Sequence, residues 1–484
     1  MAEMAETRLE QFQRLYKRGM ELLDKGEDDR AMAVMWEAAK AAPEGWLQVA
    51  IELIKDGKTD LALERLREVL ALTTNTKVRA AALNNLGMIL ANRGQNTRAL
   101  EAFELTSREE PGYADTWSNL ALVNKWNGRY SDAIRYASKA LTLDPWHEQA
   151  GFIRSMALLL DCQLERGFAE YECRWRSKSN GLRKIESPVR EWDGTHGTRL
   201  LVYGEQGHGD SILMLRYAKR IREMGLWQAW VAQKSMVPLL KMIPEIDLVL
   251  EPGEPLPEFD CHIPSVSIPR VLGETIETLS GAPYVHSDLR EDYGEGFHVG
   301  IVWRGSHAQL NDMFRSTCLS DWKPVMDVPG VTFHSLQVDH ADEALLYPQI
   351  ISHPKPEDWS ETVRRVQGLD LVITVDTSMV HLCGALGVPC WVAMHCRPYF
   401  VYPTKFIHYT PWYDSVSLCR QPRELEWSPV FQEIAEKLTK KCSNNTLESY
   451  PPDGETSQPS SAIHTSPAVS PPMETPPWTR CGLR

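Results

Sequence analysis

Hydrophobic and polar positions in the first third of the chain alternate with the period of amphipathic helices. Residues 85–94 read Asn-Leu-Gly-Met-Ile-Leu-Ala-Asn-Arg-Gly, and residues 119–128 repeat this pattern 34 positions later. Small residues and prolines recur in the same register, as Ala99 and Ala133 and as Pro111 and Pro145. Small residues allow two helices to approach closely, and proline ends the second helix. The pattern predicts a repeating helix pair.

A period of 34 residues is typical of tetratricopeptide repeats. Looser copies come earlier, with glycines at Gly26 and Gly57, and a degenerate fifth copy covers 147–177, where Gly167 takes the alanine position. We therefore expect residues 1–180 to form an α solenoid of four to five helix pairs with a concave surface open for a ligand. A spacer without a ligand is the alternative interpretation.

From Arg199 onward the pattern changes to short apolar runs that alternate with amphipathic segments. These runs cover 200–203, 299–303, 331–336, 371–375 and 390–393. Such alternation is typical of βα units around parallel sheets. We expect two Rossmann-like lobes, at 198–290 and 297–441, with a cleft at the carboxyl ends of their strands. The Pro-, Ser- and Thr-rich tail at 443–484 is predicted to be disordered.

Composition narrows the function classes. The 484 residues carry a net charge of -13, which argues against a nucleic-acid partner. Ten cysteines without a Cys-x-x-Cys pair indicate a reducing compartment. No apolar run reaches the roughly 20 residues of a transmembrane helix, and the acidic start does not resemble a signal peptide. We expect a cytoplasmic protein without a transmembrane segment.

A glycine-rich turn, Gly204-Glu-Gln-Gly-His-Gly-Asp210, follows the first strand of the first lobe. Gly207 and Gly209 permit a tight turn and a close approach of ligand to backbone. A helix is expected from Ser211 to about Met224, which places Asp210 at its start. A carboxylate there can accept the proton of an attacking hydroxyl, although a helix N-cap is an equally good explanation for this aspartate.

In the second lobe a predicted strand ends at Asp376 and a helix begins at once. The free N–H groups near Thr377 and Ser378 can therefore bind a diphosphate. His381 lies four residues after Thr377 and shares its face of the helix. A buried core histidine is the alternative, but the Asp-Thr pair at the strand end favours a functional role.

A polar loop follows the first strand of the second lobe and contains Trp303, Asn311, Arg315 and Ser316. Arg315 can neutralise a departing diphosphate, or it is only a solvated loop charge. The spacing of histidines and cysteines between 381 and 396 does not fit zinc, and no Asp-x-Asp triplet occurs. We therefore expect no metal.

With these motifs, the chain resembles bacterial tetratricopeptide-repeat glycosyltransferases whose catalytic half is similar to the lipopolysaccharide heptosyltransferases of the GT-B fold. The resemblance covers about residues 10 to 440. It rests on the turn 204–210, on Trp303-x-Gly with Asn311-Asp-x-x-Arg-Ser316, on Asp376-Thr-x-x-x-His381 continuing to Pro389, and on Pro411-Trp-Tyr413 with Arg420-Gln421.

The resemblance implies an inverting, metal-independent transfer of a sugar from a nucleotide-diphosphate donor to a hydroxyl acceptor. Asp210 would be the catalytic base, Asp376, Thr377 and His381 would line the sugar-nucleotide site, and Arg315 would lie near the phosphates. We expect no cofactor beyond the nucleotide sugar, and a protein or other macromolecular acceptor on the repeats. The alternative is a non-catalytic adaptor with a degenerate transferase-like domain.

Overall fold

Ten helices make up the N-terminal third of the computed structural model, which describes residues 7–23, 25, 27–177, 182–205, 207–306 and 312–445. They pack as five antiparallel pairs. The pairs are α1 (Arg8–Leu23) with α2 (Asp28–Ala41), α3 (Pro43–Lys55) with α4 (Thr59–Leu72), α5 (Thr76–Asn92) with α6 (Asn96–Glu109), α7 (Ala114–Trp126) with α8 (Tyr130–Leu143), and α9 (Glu148–Leu160) with α10 (Leu164–Tyr171).

Small residues hold each pair together at the predicted positions. Four repeat alanines are fully buried: Ala31, Ala62, Ala99 and Ala133. In the fifth pair a Cβ atom added to Gly167 would lie 2.6 Å from the side chain of Leu159, so a larger residue would force α9 and α10 apart. The turn within a pair takes positive φ at Gly128, and Cys162 occupies the same place in the fifth pair with φ 66°. The last pair therefore keeps the repeat geometry although its sequence has drifted.

The first lobe contains a four-stranded parallel sheet in the order β3-β2-β1-β4. Its elements are β1 (Arg199–Tyr203), α11 (His208–Met214), α12 (Ala218–Glu223), β2 (Trp227–Val231), α13 (Val237–Leu240), β3 (Leu248–Leu250), β4 (Cys261–Pro264) and α14 (Ile268–Val271). The expectation of one helix from Ser211 was wrong. The helix begins at His208, and a 3-10 turn over Leu215–Tyr217 separates α11 from α12.

The second lobe contains a seven-stranded sheet in the order β10-β11-β9-β8-β5-β6-β7, parallel except for the β10–β11 pair. Its elements are β5 (Phe297–Val302), α15 (Asp312–Arg315), α16 (Lys323–Met326), β6 (Val331–Ser335), β7 (Ile350–Ile351), α17 (Trp359–Gly368), β8 (Leu371–Val375), α18 (Ser378–Leu386), β9 (Cys390–Met394), β10 (Tyr409–Thr410), β11 (Tyr413–Arg420) and α19 (Ser428–Asn445). The strand order continues from β5 to β6 in one direction and from β8 to β9 in the other, so the carboxyl ends of β5 and β8 form the switch point at which a crevice is expected.

One hydrophobic core joins the last repeats to both lobes. Phe168 of α10 packs edge-on against Phe400 at 5.6 Å and against Trp412 at 6.3 Å between ring centroids. A second core fills the far side of the second sheet. The helix pairs and the two sheets confirm the expected architecture, an α solenoid followed by two Rossmann-like lobes of a GT-B fold.

Two sequence predictions concern the C-terminal part of the sequence, namely where the tail begins and whether it is disordered. Helix α19 continues to Asn445, into the first residues of the tail predicted at 443–484, although the main compact unit of the chain ends at Cys442. Residues 446–484, for which disorder was predicted, lie outside the described residues. Among the described residues, no helix combines the length and apolar character needed to cross a bilayer.

Candidate functional site

The glycine-rich turn places Asp210 in the first turn of α11. Gly207 is the N-cap residue of this helix and supplies no side-chain hydrogen bond. Asp210 lies within the helix, and its Oδ1 accepts a hydrogen bond from the hydroxyl of Tyr399 at 3.1 Å. The N-cap interpretation of Asp210 is therefore wrong, because its side chain points to the second lobe and not to the backbone of its own helix.

The surroundings of Asp210 make its carboxyl group a much weaker acid than usual. Burial is the largest cause and raises its pKa to about 7. The hydrogen bond from Tyr399 opposes this shift, while the negative charges of Glu205 and Asp376 add to it. Near neutral pH the group can therefore both hold and release a proton, which is the property required of a general base.

The two lobes meet directly beside Asp210. A Cβ atom added to Gly209 would lie 2.8 Å from Cδ2 of His381, so α11 packs with its backbone against α18. His381 is buried, and its Nδ1 lies 2.8 Å from the hydroxyl of Tyr413. Burial lowers the pKa of His381 to about 4, so the ring is neutral at physiological pH. The contact brings the two predicted site segments together.

Replacement of Gly209 by alanine should push His381 out of this contact. Tyr413 holds the buried histidine ring, so the backbone has to shift, and we expect a loss of about 1–3 kcal/mol in the free energy of unfolding. Urea denaturation measures this loss. Gly207→Ala is the matched control, because a Cβ atom there meets nothing within 4 Å. Equal stability losses in both variants would contradict the proposed close packing.

Asp376 and Arg315 form a support at the end of β8. Arg315 is buried and donates from Nη1 to the carbonyl oxygen of Asp376 at 2.9 Å, from Nη2 to that of Ser306 at 3.2 Å, and from Nε to Asp312 at 3.2 Å. The Asp376 carboxylate lies 3.4 Å from His395 Nε2. Although burial opposes it, the hydrogen bond with His395 and the charge of Arg315 lower the pKa of Asp376. The pKa values of the neighbouring carboxyl groups of Asp210 and Asp376 are thus shifted in opposite directions.

Other residues predicted for the site serve the loop after β5. Trp303 is fully buried, and its ring nitrogen donates to Glu343 at 2.9 Å. The hydroxyl of Ser316 donates to Asp312 at 2.7 Å and accepts from the backbone of Gly305 at 3.0 Å. These contacts hold the loop after β5 in its conformation. Asn311 lies outside the described residues.

A cleft of about 530 Å³ lies between the lobes at the carboxyl ends of the second-lobe strands. His208 and Ser235 line it from the first lobe. Thr377 and Ser378 line it from the second lobe, where the hydroxyl of Thr377 accepts a hydrogen bond from Met379 N at the start of α18. Asp210, Asp376 and His381 are not lining residues but adjoin those that are.

The cleft also contains residues that sequence reasoning did not select. Arg304, His353 and Lys355 line it, and the last two directly follow β7. Arg304 is paired with Glu343 at 3.4 Å, whereas Lys355 has no ion pair within the described part of the chain. A strand as short as β7 has no recognisable alternation, so only its position in the sheet reveals these residues.

Comparisons with known proteins do not assign the chain to a family. No protein-family model matches it. Protein FlbA of Caulobacter vibrioides is 22% identical over 414 residues, which is 77% of this chain and 69% of FlbA. Photosystem I assembly protein Ycf3 of Synechococcus sp. is 30% identical over 107 residues, which is 22% of this chain and 60% of Ycf3.

Among solved structures, a mutant O-GlcNAc transferase of Thermobaculum terrenum aligns with 84% of this chain and 94% of its own length. The identity is 12% and the TM-score 0.30. Because this score is low, the architecture described above stands on the strands and helices of the chain itself.

Proposed function

We propose that this protein is a glycosyltransferase that moves a sugar from a nucleotide-diphosphate donor to a hydroxyl acceptor. The observation that carries the proposal is the position of the Asp210 carboxyl group, which contacts Tyr399 where the two lobes of a GT-B fold meet beside their cleft and whose pKa is raised by burial to about 7. In the proposed mechanism Asp210 takes the proton of the acceptor hydroxyl, the oxygen attacks the anomeric carbon, and the diphosphate leaves. In-line attack inverts the anomeric centre.

The start of α18 is the proposed diphosphate site. Its first N–H groups and the residues Thr377 and Ser378 border the cleft, and a helix N-terminus attracts anions. Lys355, which also lines the cleft, supplies a positive charge. Arg315 contributes indirectly in this arrangement, because its donors hold the backbone that leads into α18. A catalytic half that is similar to the heptosyltransferases and a sugar transfer that needs no metal ion are also parts of this proposal.

The donor is tested by incubating the purified full-length protein with a panel of nucleotide sugars and measuring the release of nucleoside diphosphate. We expect one or a few donors to turn over, faster when the acceptor is present. If no donor binds or reacts, the proposal fails and the adaptor alternative takes its place.

We further propose that the concave face of the repeats presents a protein or other macromolecular acceptor to the cleft. The array is well placed for this, because it is fastened to the second lobe. Arg397 donates to the carbonyl oxygen of Ala91 at 3.0 Å and lies 3.7 Å from the ring centroid of Trp126. Repeats and cleft therefore keep one orientation.

Removal of residues 1–72 should separate the two roles. This truncation deletes α1 to α4 but retains Ala91 and Trp126, which contact Arg397. Because the acceptor loses part of its binding surface, we expect transfer to it to fall by about tenfold or more, with donor binding unchanged. Calorimetry with the donor and transfer assays with the acceptor measure the two effects. Unchanged transfer would show that these repeats do not hold the acceptor.

A further inference from the structure

Three histidines form a hydrogen-bonded chain across the second sheet. His298 lies on β5, His334 on β6, and His353 directly after β7. Nδ1 of His298 lies 3.0 Å from Nε2 of His334, and Nδ1 of His334 lies 3.0 Å from Nε2 of His353. The ring of Tyr293 packs against all three, closest to His334 at 4.2 Å between centroids. The three hydrogen-bonded histidines are thus held in fixed positions within the second lobe.

The two ends of this chain differ. His298 is 6% exposed, and its Nε2 is buried without a hydrogen-bond partner in the described residues. His353 lines the cleft. Since Nε2 of His353 is occupied by His334, Nδ1 is the ring nitrogen left for a molecule in the cleft.

The buried end determines the tautomers of the whole chain. Burial lowers the pKa of His334 to about 4 and also lowers that of His353, so these rings carry one proton each near neutral pH. Each N···N contact then needs one donor and one acceptor. Because buried N–H groups without partners are rare, the unpartnered Nε2 of His298 is the nitrogen without a proton.

The tautomer of each histidine ring then determines the tautomer of the next ring. A neutral His298 with a bare Nε2 carries its proton on Nδ1 and donates to His334, which then donates from its own Nδ1 to His353. His353 accepts at Nε2 and therefore carries its proton on Nδ1. At this position His353 therefore presents a hydrogen-bond donor to the cleft and not an acceptor.

We propose that His353 donates this hydrogen bond to the exocyclic oxygen O4 of uracil or O6 of guanine in the donor nucleotide, and so selects these bases over cytosine and adenine, which carry an amino group at the same position. The inference rests on the proposed function. Three strand spacings, together roughly 14 Å, separate the end of β8 from the end of β7. A nucleoside diphosphate whose phosphates lie at α18 can extend over this distance. His298 and His334 are positioning residues that act through His353.

The test is calorimetric binding of four nucleoside diphosphates to the full-length protein. Comparison within size classes, uridine with cytidine diphosphate and guanosine with adenosine diphosphate, replaces the keto group by an amino group while the ring system stays the same. At least one keto form should bind about tenfold or more tightly than its amino partner. His353→Phe should reduce this ratio to near one. The control variant is His196→Gln, which replaces an exposed histidine that is not one of the three hydrogen-bonded histidines and should leave the ratio unchanged.

Two further measurements separate tautomer control from a structural role. His298→Phe should also abolish the discrimination, and His298→Asn should restore it, because the asparagine amide can donate in place of Nδ1. Nitrogen NMR of isotopically labelled histidine should show His353 protonated on Nδ1. Equal binding of keto and amino forms by the wild type, or a proton on Nε2, would overturn this inference alone. If none of the four binds, the proposed function fails, and the inference fails with it.

Discussion

Sugar transfer should fall by about 10²–10⁴-fold when Asp210 is replaced by asparagine, with donor binding retained. The amide keeps the shape of the side chain and the contact with Tyr399 but cannot take up the proton of the acceptor hydroxyl. Release of nucleoside diphosphate in the presence of acceptor measures the rate, and calorimetry measures donor affinity. Full activity of Asp210→Asn would contradict the assignment of the base while leaving the enzyme proposal intact.

The pH dependence of the wild type follows from the same carboxyl group. Since the base must be ionised, the rate should rise about tenfold per pH unit below a pKa of about 7 and level off above it. Tyr399→Phe removes the hydrogen bond that lowers this pKa, so the rise should move to higher pH. An exposed carboxylate provides the control, and Asp288→Asn should leave the profile unchanged.

Stability distinguishes the loss of a base from misfolding. The pKa of Asp210 is raised in the folded state from 3.8, so the unfolded chain loses its proton first as pH rises, and folding is disfavoured progressively up to a pH of about 7. An asparagine at position 210 does not ionise, so the variant lacks this loss of stability with rising pH. Asp210→Asn should therefore be more stable than the wild type near pH 8, by up to about 4 kcal/mol, and show little difference near pH 4. Urea denaturation at both pH values measures the difference. An inactive but stabilised variant cannot be explained by unfolding.

A second large effect is expected for Arg174, which follows the last repeat. Its guanidinium donates to Glu205 at 2.7 and 2.9 Å and to Ser267 at 2.7 Å, and the side chains of Arg174 and Glu205 are each 1% exposed. Arg174→Met leaves the Glu205 carboxylate buried without its partner. We expect a loss of about 3–5 kcal/mol in the free energy of unfolding. Because burial raises the pKa of Glu205, proton uptake should reduce this loss at low pH.

A double-mutant cycle tests this ion pair. Arg174→Met combined with Glu205→Leu should recover most of the lost stability, because the buried carboxylate is removed together with its partner, and Glu172, which also pairs with Arg174, is 23% exposed and lies near Arg270. Lys40→Met is the control, because its pair with Glu37 is exposed and should contribute less than about 1 kcal/mol. If Arg174→Met costs no more than this control, the pair does not fasten the repeats to the first lobe. Glu205 belongs to the turn that carries Asp210, so this pair also links the repeats to the proposed base.

Local patterns were sufficient for the repeats. A helix pair packs only on its neighbours, so the spacing of Ala99 and Ala133 predicts the contact that the structure has, and even Gly167 in the degenerate pair lies against Leu159 as expected. Five strands rich in apolar residues, β1, β5, β6, β8 and β9, were equally clear. The other six, β2, β3, β4, β7, β10 and β11, escaped prediction, because pairing with neighbouring strands, and not their own pattern alone, makes them strands.

The sequence by itself determined that a helical repeat array precedes two α/β lobes, and it singled out Asp210 and the start of α18, because turns and helix termini are encoded by adjacent residues. Only the tertiary structure decided what surrounds them. Tyr399 lies 189 positions from Asp210 along the chain, and the histidine chain joins residues of three different strand segments. Burial and hydrogen bonding set proton affinities, and both arise from packing between distant segments. Chemistry at this site therefore becomes visible only after the lobes have folded together.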